Sequence, residues 1–175
     1  LLDYALSDKA QDTVSEVGFI NQRIDLQTFA QQTVRLAPAL SVPDKEFKIA
    51  DMRDFIATVR GARRLSVNFR FHRNSAVLDE KARQDIPRLA RFLKSGGTKY
   101  KEILLLGFAD GTGNFEANRA ISANRAASFK AALTAEGVPA EQIVVKAYGS
   151  LLPVGCNSTE AGKERNRRVE VWVKE

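Results

Sequence analysis

Residues 103–137 of the chain read ILLLGFADGTGNFEANRAISANRAASFKAALTAEG. The opening apolar run ends at Gly107 and is typical of a strand buried on both faces. A glycine-rich loop covers residues 110–114, and a helix is expected over residues 115–136 because Gly137 provides a C-terminal stop. This stretch predicts an α/β unit with a polar loop at the carboxyl end of a strand.

Strands and helices are expected to alternate on both sides of this unit. Apolar and polar residues alternate over residues 65–71, which predicts a half-buried strand, and helical spacing follows over residues 82–93. A strand over residues 143–147, a short helix over residues 159–165 and a last strand over residues 169–173 complete the pattern. The order strand, helix, strand, helix, strand, helix, strand predicts a two-layer α/β sandwich.

The first part of the chain has a different character and is predicted to form an N-terminal helical appendage. Helices are expected over residues 7–17 and 49–59, with a linker around residues 38–43 between them. Neither helix has enough apolar area for a core of its own, so both are expected to pack on another part of the molecule. We therefore divide the chain into an appendage of residues 1–64 and a globular domain of residues 65–175.

Composition limits the classes of function. The chain has 175 residues, of which 44% are apolar, so it is not of the disordered type. Its net charge of +6 favours acidic partners such as nucleic acid, anionic lipid or a carboxylate-rich polymer. No apolar run is long enough to span a bilayer. The single cysteine, Cys156, and the single histidine, His72, cannot form a zinc site of the usual kind, so we expect no metal and no cofactor.

The long helix carries a charge on a face that should be buried. At 100° per residue, one stripe is polar in its first turns and apolar in its later turns. Burying Arg125 unpaired would cost several kcal/mol, on the order of the stability of a small domain. Arg125 therefore needs either a carboxylate partner or a ligand. The stripe consists of Asn118, Ser122, Arg125, Phe129 and Leu133.

Asp110 supplies the opposite charge in the loop that leads into this helix. Loops at the carboxyl ends of central strands often carry binding sites in α/β sheets. Asp110 can accept an ammonium group, while Arg125 and the free N–H groups of the helix terminus can hold a carboxylate. The residues predict a site for an amino-acid zwitterion, and a structural ion pair between Asp110 and Arg125 is an equally good interpretation.

Two sets of motifs resemble the OmpA-like peptidoglycan-binding domain over roughly residues 65–175. The first is Gly107-Phe-Ala-Asp-Gly-Thr-Gly113 followed by Asn118, Ile121-Ser122, Arg125-Ala126, Phe129 and Leu133. The second is Tyr148-Gly149, Pro153, Asn157, Thr159, Gly162 and Asn166-Arg-Arg-Val-Glu170. The resemblance implies a mixed sheet in the order β-α-β-α-β-(α)-β. It also implies a non-catalytic domain that anchors an envelope protein to the cell wall.

In that family the ligand is the meso-diaminopimelate of the peptidoglycan stem peptide. By resemblance, the family's aspartate falls on Asp110 and its arginine on Arg125. Asn118 matches a further motif position, and Asn74 matches a polar residue that lines the site after the first strand. His72 and Arg73 stand where the family usually has an acidic residue, which is expected to alter affinity or pH response. The other expected ligand-binding residues are Thr112, Ile121 and, near the rim, Arg168.

The resemblance implies a location in the periplasm or cell envelope of a Gram-negative bacterium, in association with the outer membrane. It leaves a homodimer and contacts with envelope transport proteins open. Residues 7–20 are similar to the closing segment of phosphate-type periplasmic solute-binding proteins. This similarity suggests a solute-binding protein fused to an OmpA-like domain. The chain begins at Leu1 without a signal segment, so we expect a processed product or a fragment, and we expect no phosphate binding from it.

Three alternatives compete with peptidoglycan binding. A nucleic-acid or polyanion-binding module rests on the basic charge alone, since no aromatic stacking platform is evident. A solute-binding or transport accessory function rests on the N-terminal part. An enzyme is disfavoured because Asp110 is the only carboxylate expected in the site, whereas glycosidases of the usual type need two. The basic cluster at the end of the chain is expected to be a solvated surface; it consists of Lys163, Arg165, Arg167 and Arg168.

Overall fold

The computed structural model describes residue 4 and residues 7–17, 23–33, 49–95 and 100–175. The expected linker at residues 38–43 and most of the segment around residues 18–22 lie outside the described residues. The helices are α1 (Asp8–Glu16), α2 (Ile49–Val59), α3 (Glu80–Ser95), α4 (Phe115–Ala135) and α5 (Glu160–Asn166). The strands are β1 (Leu26–Gln27), β2 (Arg63–Arg70), β3 (Glu102–Gly107), β4 (Ile143–Ala147) and β5 (Arg168–Lys174).

The five strands form one mixed sheet in the order β1-β2-β5-β3-β4. β3 and β4 run parallel and are joined by a crossover through α4, the connection that parallel neighbours need, and the other neighbours are antiparallel. The last strand therefore lies between β2 and β3 at the centre of the sheet, where it is buried on both faces. The predicted α/β class and mixed sheet are confirmed, and the sheet has one strand, β1, more than the four that the sequence predicts.

The main core lies between the sheet and the helices α3 and α4. Val169, Val171 and Val173 face this core, as their alternation along the strand predicts. Phe129 and Leu133 meet them from α4, and the rings of Phe129 and Phe69 lie 4.1 Å apart between centroids. The apolar half of the α4 stripe is thus a core face.

The opposite face of the sheet is covered by α2. Phe55 of α2 is fully buried and its ring packs edge-on against those of Trp172, Phe108 and Tyr148. The expectation that α2 packs on another part of the molecule is therefore confirmed. Since β1 also pairs with β2, parts of the predicted appendage complete the sheet and its second face. The division at residue 64 stays a prediction.

None of the described helices combines the length and apolar character that crossing a bilayer requires.

Candidate functional site

The loop after β3 is fastened to its neighbours by backbone hydrogen bonds. The Phe108 N–H donates to the Arg168 carbonyl at 2.8 Å, and the Ala109 N–H donates to the Gly149 carbonyl at 2.7 Å. The Gly111 N–H donates to the Asn157 Oδ1 at 3.0 Å. Three hydrogen bonds to three other segments thus hold the loop in one conformation, which fixes the direction of the side chains it carries.

The N-terminal half of α4 packs closely against the end of β3. A Cβ atom on Gly107 would stand 2.1 Å from the Ser122 carbonyl oxygen, so only glycine permits this approach. Asn114 caps α4 by accepting a hydrogen bond from the Ala117 N–H at 2.8 Å. The polar half of the α4 stripe is thereby brought against the loop that carries Asp110.

Asp110 is buried, with 8% of the residue exposed, and both carboxylate oxygens have partners. Oδ1 accepts from the Thr112 N–H at 2.8 Å, and Oδ2 accepts from the Arg167 Nη1 at 3.0 Å. Burial alone would raise the pKa of Asp110, but the hydrogen bonds from Thr112 and Arg167 together with the charge of Arg167 lower it below the ordinary value. Asp110 is therefore an ionised acceptor.

The partner of Asp110 is thus Arg167 and not Arg125. Arg167 follows α5 and is 5% exposed, and its Nη2 donates to the Glu160 Oε1 at 2.9 Å. The interpretation of this arginine as part of a solvated basic surface is wrong, because the carboxylates on either side stabilise its charge. Among the described residues, no ion pair joins Asp110 to Arg125, so the alternative of a structural pair between them is also wrong.

Arg125 is held by backbone carbonyl groups. Its Nε donates to Ser75 at 2.9 Å, its Nη2 to His72 at 3.2 Å and its Nη1 to Phe108 at 3.4 Å. The residue is 1% exposed, and no carboxylate of the described chain forms an ion pair with it. The sequence predicts a carboxylate or a ligand as the partner of this charge, and carbonyl dipoles from two loops supply part of the stabilisation.

The electrostatic environment of Arg125 is unfavourable for its charge. Burial and, to a smaller extent, the charge of Arg167 lower its pKa to about 10, although the charge of Asp110 acts in the opposite direction. The guanidinium stays protonated at neutral pH, since its pKa remains well above 7. An anion arriving at this position would relieve the repulsion between the two guanidinium groups.

The other predicted site residues have different surroundings. Asn118 is buried, and its Nδ2 has no hydrogen-bond partner among the described residues. Ile121 is half-buried on α4, and Thr112 is exposed in the loop after β3. Asn74 is exposed and has a φ of 51°, in the segment whose carbonyl groups hold Arg125. The side chains of His72 and Arg73 are exposed in that same segment.

Arg168 does not lie at a rim, and that expectation is wrong. It is 1% exposed and donates to the Glu170 Oε1 at 2.7 Å and to the Leu152 carbonyl at 3.0 Å. Its guanidinium also lies over the Phe108 ring, 4.0 Å from the centroid. Because side chains alternate along β5, Arg168 shares the α2 side of the sheet with Glu170, away from the core on the α4 side.

Sequence reasoning missed Arg167 and Glu160 as site residues. Their spacing of seven residues equals about two helical turns, which places both on one side of α5. That spacing, together with the Asn166-Arg-Arg motif, was the available signal. The described residues contain no group of three or more histidine, cysteine, aspartate or glutamate side chains placed to hold a metal ion.

The chain matches the model of the OmpA family over residues 70–167. It is 34% identical over 108 residues to the probable lipoprotein YiaD of Escherichia coli, covering 61% of this chain and 48% of that protein. It is 37% identical over 71 residues to the peptidoglycan-binding protein ArfA of Mycobacterium tuberculosis, covering 41% of this chain and 22% of that protein. The chain therefore spans about half or less of the length of these relatives.

Two solved structures share the fold. The C-terminal domain of Helicobacter pylori MotB superposes with a TM-score of 0.57 and 26% identity, covering 62% of this chain and 84% of that one. The peptidoglycan-associated lipoprotein of Burkholderia pseudomallei gives a TM-score of 0.56 and 27% identity, covering 61% and 89% respectively.

Proposed function

Since the chain belongs to the OmpA family, we propose that it binds peptidoglycan without cleaving it and so anchors an envelope protein to the cell wall. The observation that carries this proposal is the buried, protonated Arg125, which has no carboxylate partner among the described residues. Asp110 lies close enough for its charge to raise the pKa of Arg125. The names of two similar proteins, ArfA and the Burkholderia lipoprotein, refer to peptidoglycan, which supports the same proposal.

The proposed ligand within peptidoglycan is meso-diaminopimelate of the stem peptide. Its side-chain end carries an ammonium group and a carboxylate on one carbon atom. Asp110 would accept the ammonium group, and Arg125 would bind the carboxylate. Asn118 would add a donor through its Nδ2, which has no hydrogen-bond partner among the described residues, and Thr112, Ile121 and Asn74 would lie around the ligand. Arg168 is left out of this set because it is buried among Glu170, Leu152 and Phe108.

A non-catalytic role agrees with the state of Asp110. A general acid at neutral pH needs a raised pKa, whereas hydrogen bonds hold the pKa of Asp110 below its ordinary range. An ionised, doubly hydrogen-bonded carboxylate is suited to accepting a cation.

Cosedimentation with purified diaminopimelate-type sacculi tests the proposal. Asp110→Ala and Arg125→Ala should each abolish sedimentation of the folded protein, as checked by circular dichroism. Arg119→Ala is the matched control, because Arg119 is exposed on the same helix and should sediment normally. Normal sedimentation of both site variants would contradict the proposal.

Two further arms of the same assay separate the alternatives. The stem peptide of lysine-type sacculi lacks the second carboxylate, so these sacculi should bind more weakly. Equal binding to both types would mean that the site recognises the glycan and not the peptide. A nucleic-acid or polyanion module would lose binding steeply as salt rises, whereas a zwitterion site should respond mildly.

We also propose a location in the Gram-negative envelope, in association with the outer membrane. The lipoprotein names of two similar proteins support it. The relation of residues 1–64 to a phosphate-type solute-binding protein rests on the similarity at residues 7–20. Fractionation of cells that express the complete protein tests the location. Detection in the outer-membrane fraction is expected, and detection in the cytoplasmic fraction would contradict the proposal.

A further inference from the structure

Glu160, Arg167 and Asp110 form a chain of two charge-assisted hydrogen bonds that ends at the proposed ligand site. The first bond joins the Glu160 Oε1 to the Arg167 Nη2 at 2.9 Å, and the second joins the Arg167 Nη1 to the Asp110 Oδ2 at 3.0 Å. Asp110 and Arg167 are both more than nine-tenths buried, whereas the Glu160 side chain is 64% exposed. This series of hydrogen bonds therefore extends from solvent into the site.

We propose that Arg167 is a positioning residue that presents the Asp110 carboxylate to the ligand's ammonium group, and that Glu160 tethers Arg167 for this task. This inference rests on the proposed function, because it concerns how the same site accepts its ligand. It adds Arg167 and Glu160 to the residues of the proposed site.

Arg167 fixes the orientation of the acceptor. The χ2 torsion of an aspartate is broad, so a carboxylate held at a single oxygen can turn. Here the Thr112 N–H holds Oδ1 from the loop itself, and Arg167 holds Oδ2 from the segment after α5. With both oxygens held, the plane of the carboxylate is set before the ligand arrives, so less ordering entropy is lost on binding.

Glu160 controls how much of the acceptor Arg167 covers. A guanidinium group prefers to bind a carboxylate through two parallel hydrogen bonds, which would occupy both oxygens of Asp110. Because Nη2 is engaged by Glu160, only Nη1 reaches Asp110. Each carboxylate oxygen can accept more than one hydrogen bond, so acceptor capacity remains for an ammonium group.

The charged groups around Asp110 come from three elements. Arg167 approaches from α5, with Glu160 behind it, and Arg125 approaches from α4. The segment after β2 contributes the His72 carbonyl to Arg125, and the His72 imidazole is exposed. Removing Arg167 takes away the only cation hydrogen-bonded to Asp110 in the described chain. Protonation of Asp110, and with it the loss of ammonium binding, should then occur at higher pH.

Titration with meso-diaminopimelate, followed by NMR over a pH series from acidic to neutral, tests the inference on the full chain. Arg167→Gln should weaken binding about tenfold at neutral pH and move the acid loss of binding to higher pH. Glu160→Ala should weaken binding by a similar factor, and its exposed position keeps the test valid if Arg167→Gln does not fold. Glu164→Ala is the matched control, since Glu164 is exposed on the same helix and should bind like the unaltered chain.

The outcomes are distinguishable. A purely structural bridge would change stability without moving the pH profile of binding, and normal affinity in Glu160→Ala with an unmoved profile in Arg167→Gln would overturn this inference alone. Absence of binding by the unaltered chain at every pH would overturn the proposed diaminopimelate site and this inference with it.

Discussion

Phe55 of α2 and Trp172 of β5 pack edge-on, with their ring centroids 6.2 Å apart and their planes at 85°. Both side chains are fully buried. The contact joins a helix that the sequence assigned to an appendage to the central strand of the sheet. The second face of the sheet is therefore closed by residues that lie before the family match at residues 70–167.

Replacing Phe55 with alanine should lower the free energy of unfolding by about 3–5 kcal/mol, because a buried aromatic ring is lost and a cavity is left beside Trp172. Urea denaturation measures the change. Ile49→Ala is the matched control on the same helix, since Ile49 is 70% exposed and its removal should cost less than about 0.5 kcal/mol. Equal effects of the two variants would mean that α2 does not stabilise the sheet.

Arg125→Lys should be strongly destabilising although it keeps the charge. A lysine has one nitrogen and cannot reach the three carbonyl groups that the guanidinium binds in two loops. A loss of about 2–4 kcal/mol in the free energy of unfolding is expected, together with loss of sedimentation with sacculi. The exposed Arg119 on the same helix provides the comparison, and Arg119→Lys should leave both properties nearly unchanged.

Gly107→Ala should disrupt the approach of β3 to α4. The added Cβ would collide with the Ser122 carbonyl, and neither backbone segment can yield without moving the loop that carries Asp110. The expected loss is about 3 kcal/mol, with weaker ligand binding in whatever fraction folds. Gly61→Ala separates collision from backbone strain: Gly61 has a φ of 72° and open space around it, so its cost should be about 1 kcal/mol. Similar costs at both positions would argue against a collision at Gly107.

Stability should fall in acid through Asp110 and Asp54. Burial raises the pKa of Asp54, but hydrogen bonds from Lys146 and Tyr148 hold it below the ordinary value, and hydrogen bonds have the same net effect on Asp110. A carboxylate whose pKa is lowered by folding contributes stability above its unfolded pKa of about 3.9, and this contribution is lost as pH falls through the folded pKa.

The free energy of unfolding should accordingly be flat from neutral pH to about pH 5 and decline below about pH 4. Asp110→Asn should reduce the size of that decline, because the asparagine cannot take up the proton. Asp25→Asn, at an exposed aspartate, should leave the decline as it is. Urea denaturation at a series of pH values gives both measurements, and an unchanged decline in Asp110→Asn would contradict the assignment.

Local patterns predicted the elements of this protein because they depend on neighbours in sequence. The apolar run that ends at Gly107 became β3, the 3.6-residue stripe became α4, and the alternating valines of residues 169–173 became the core face of β5. The same stripe singled out Arg125 as a buried charge, and the structure buries it.

Partners of buried charges could not be predicted in the same way, because they depend on which distant segments meet. Arg125 turned out to bind carbonyl groups 50 and 53 residues away, and Asp110 turned out to pair with an arginine 57 residues further along the chain. Two adjacent arginines also look alike in sequence, yet they project differently. Arg167 precedes β5 and reaches the site, whereas Arg168 is the first residue of β5 and lies on the α2 side of the sheet with Glu170.

By itself, then, the sequence determined the α/β class, the order of strands and helices from β2 onward, and a charged position on the long helix, since hydrophobic period and turn residues act over a few residues. Tertiary structure alone decided that Arg167 rather than Arg125 holds Asp110, that Arg168 is buried with Glu170, and that α2 closes the second face. Each of these results follows from packing between segments that are far apart in the chain, because that packing determines both which side chains are buried and which charged groups meet.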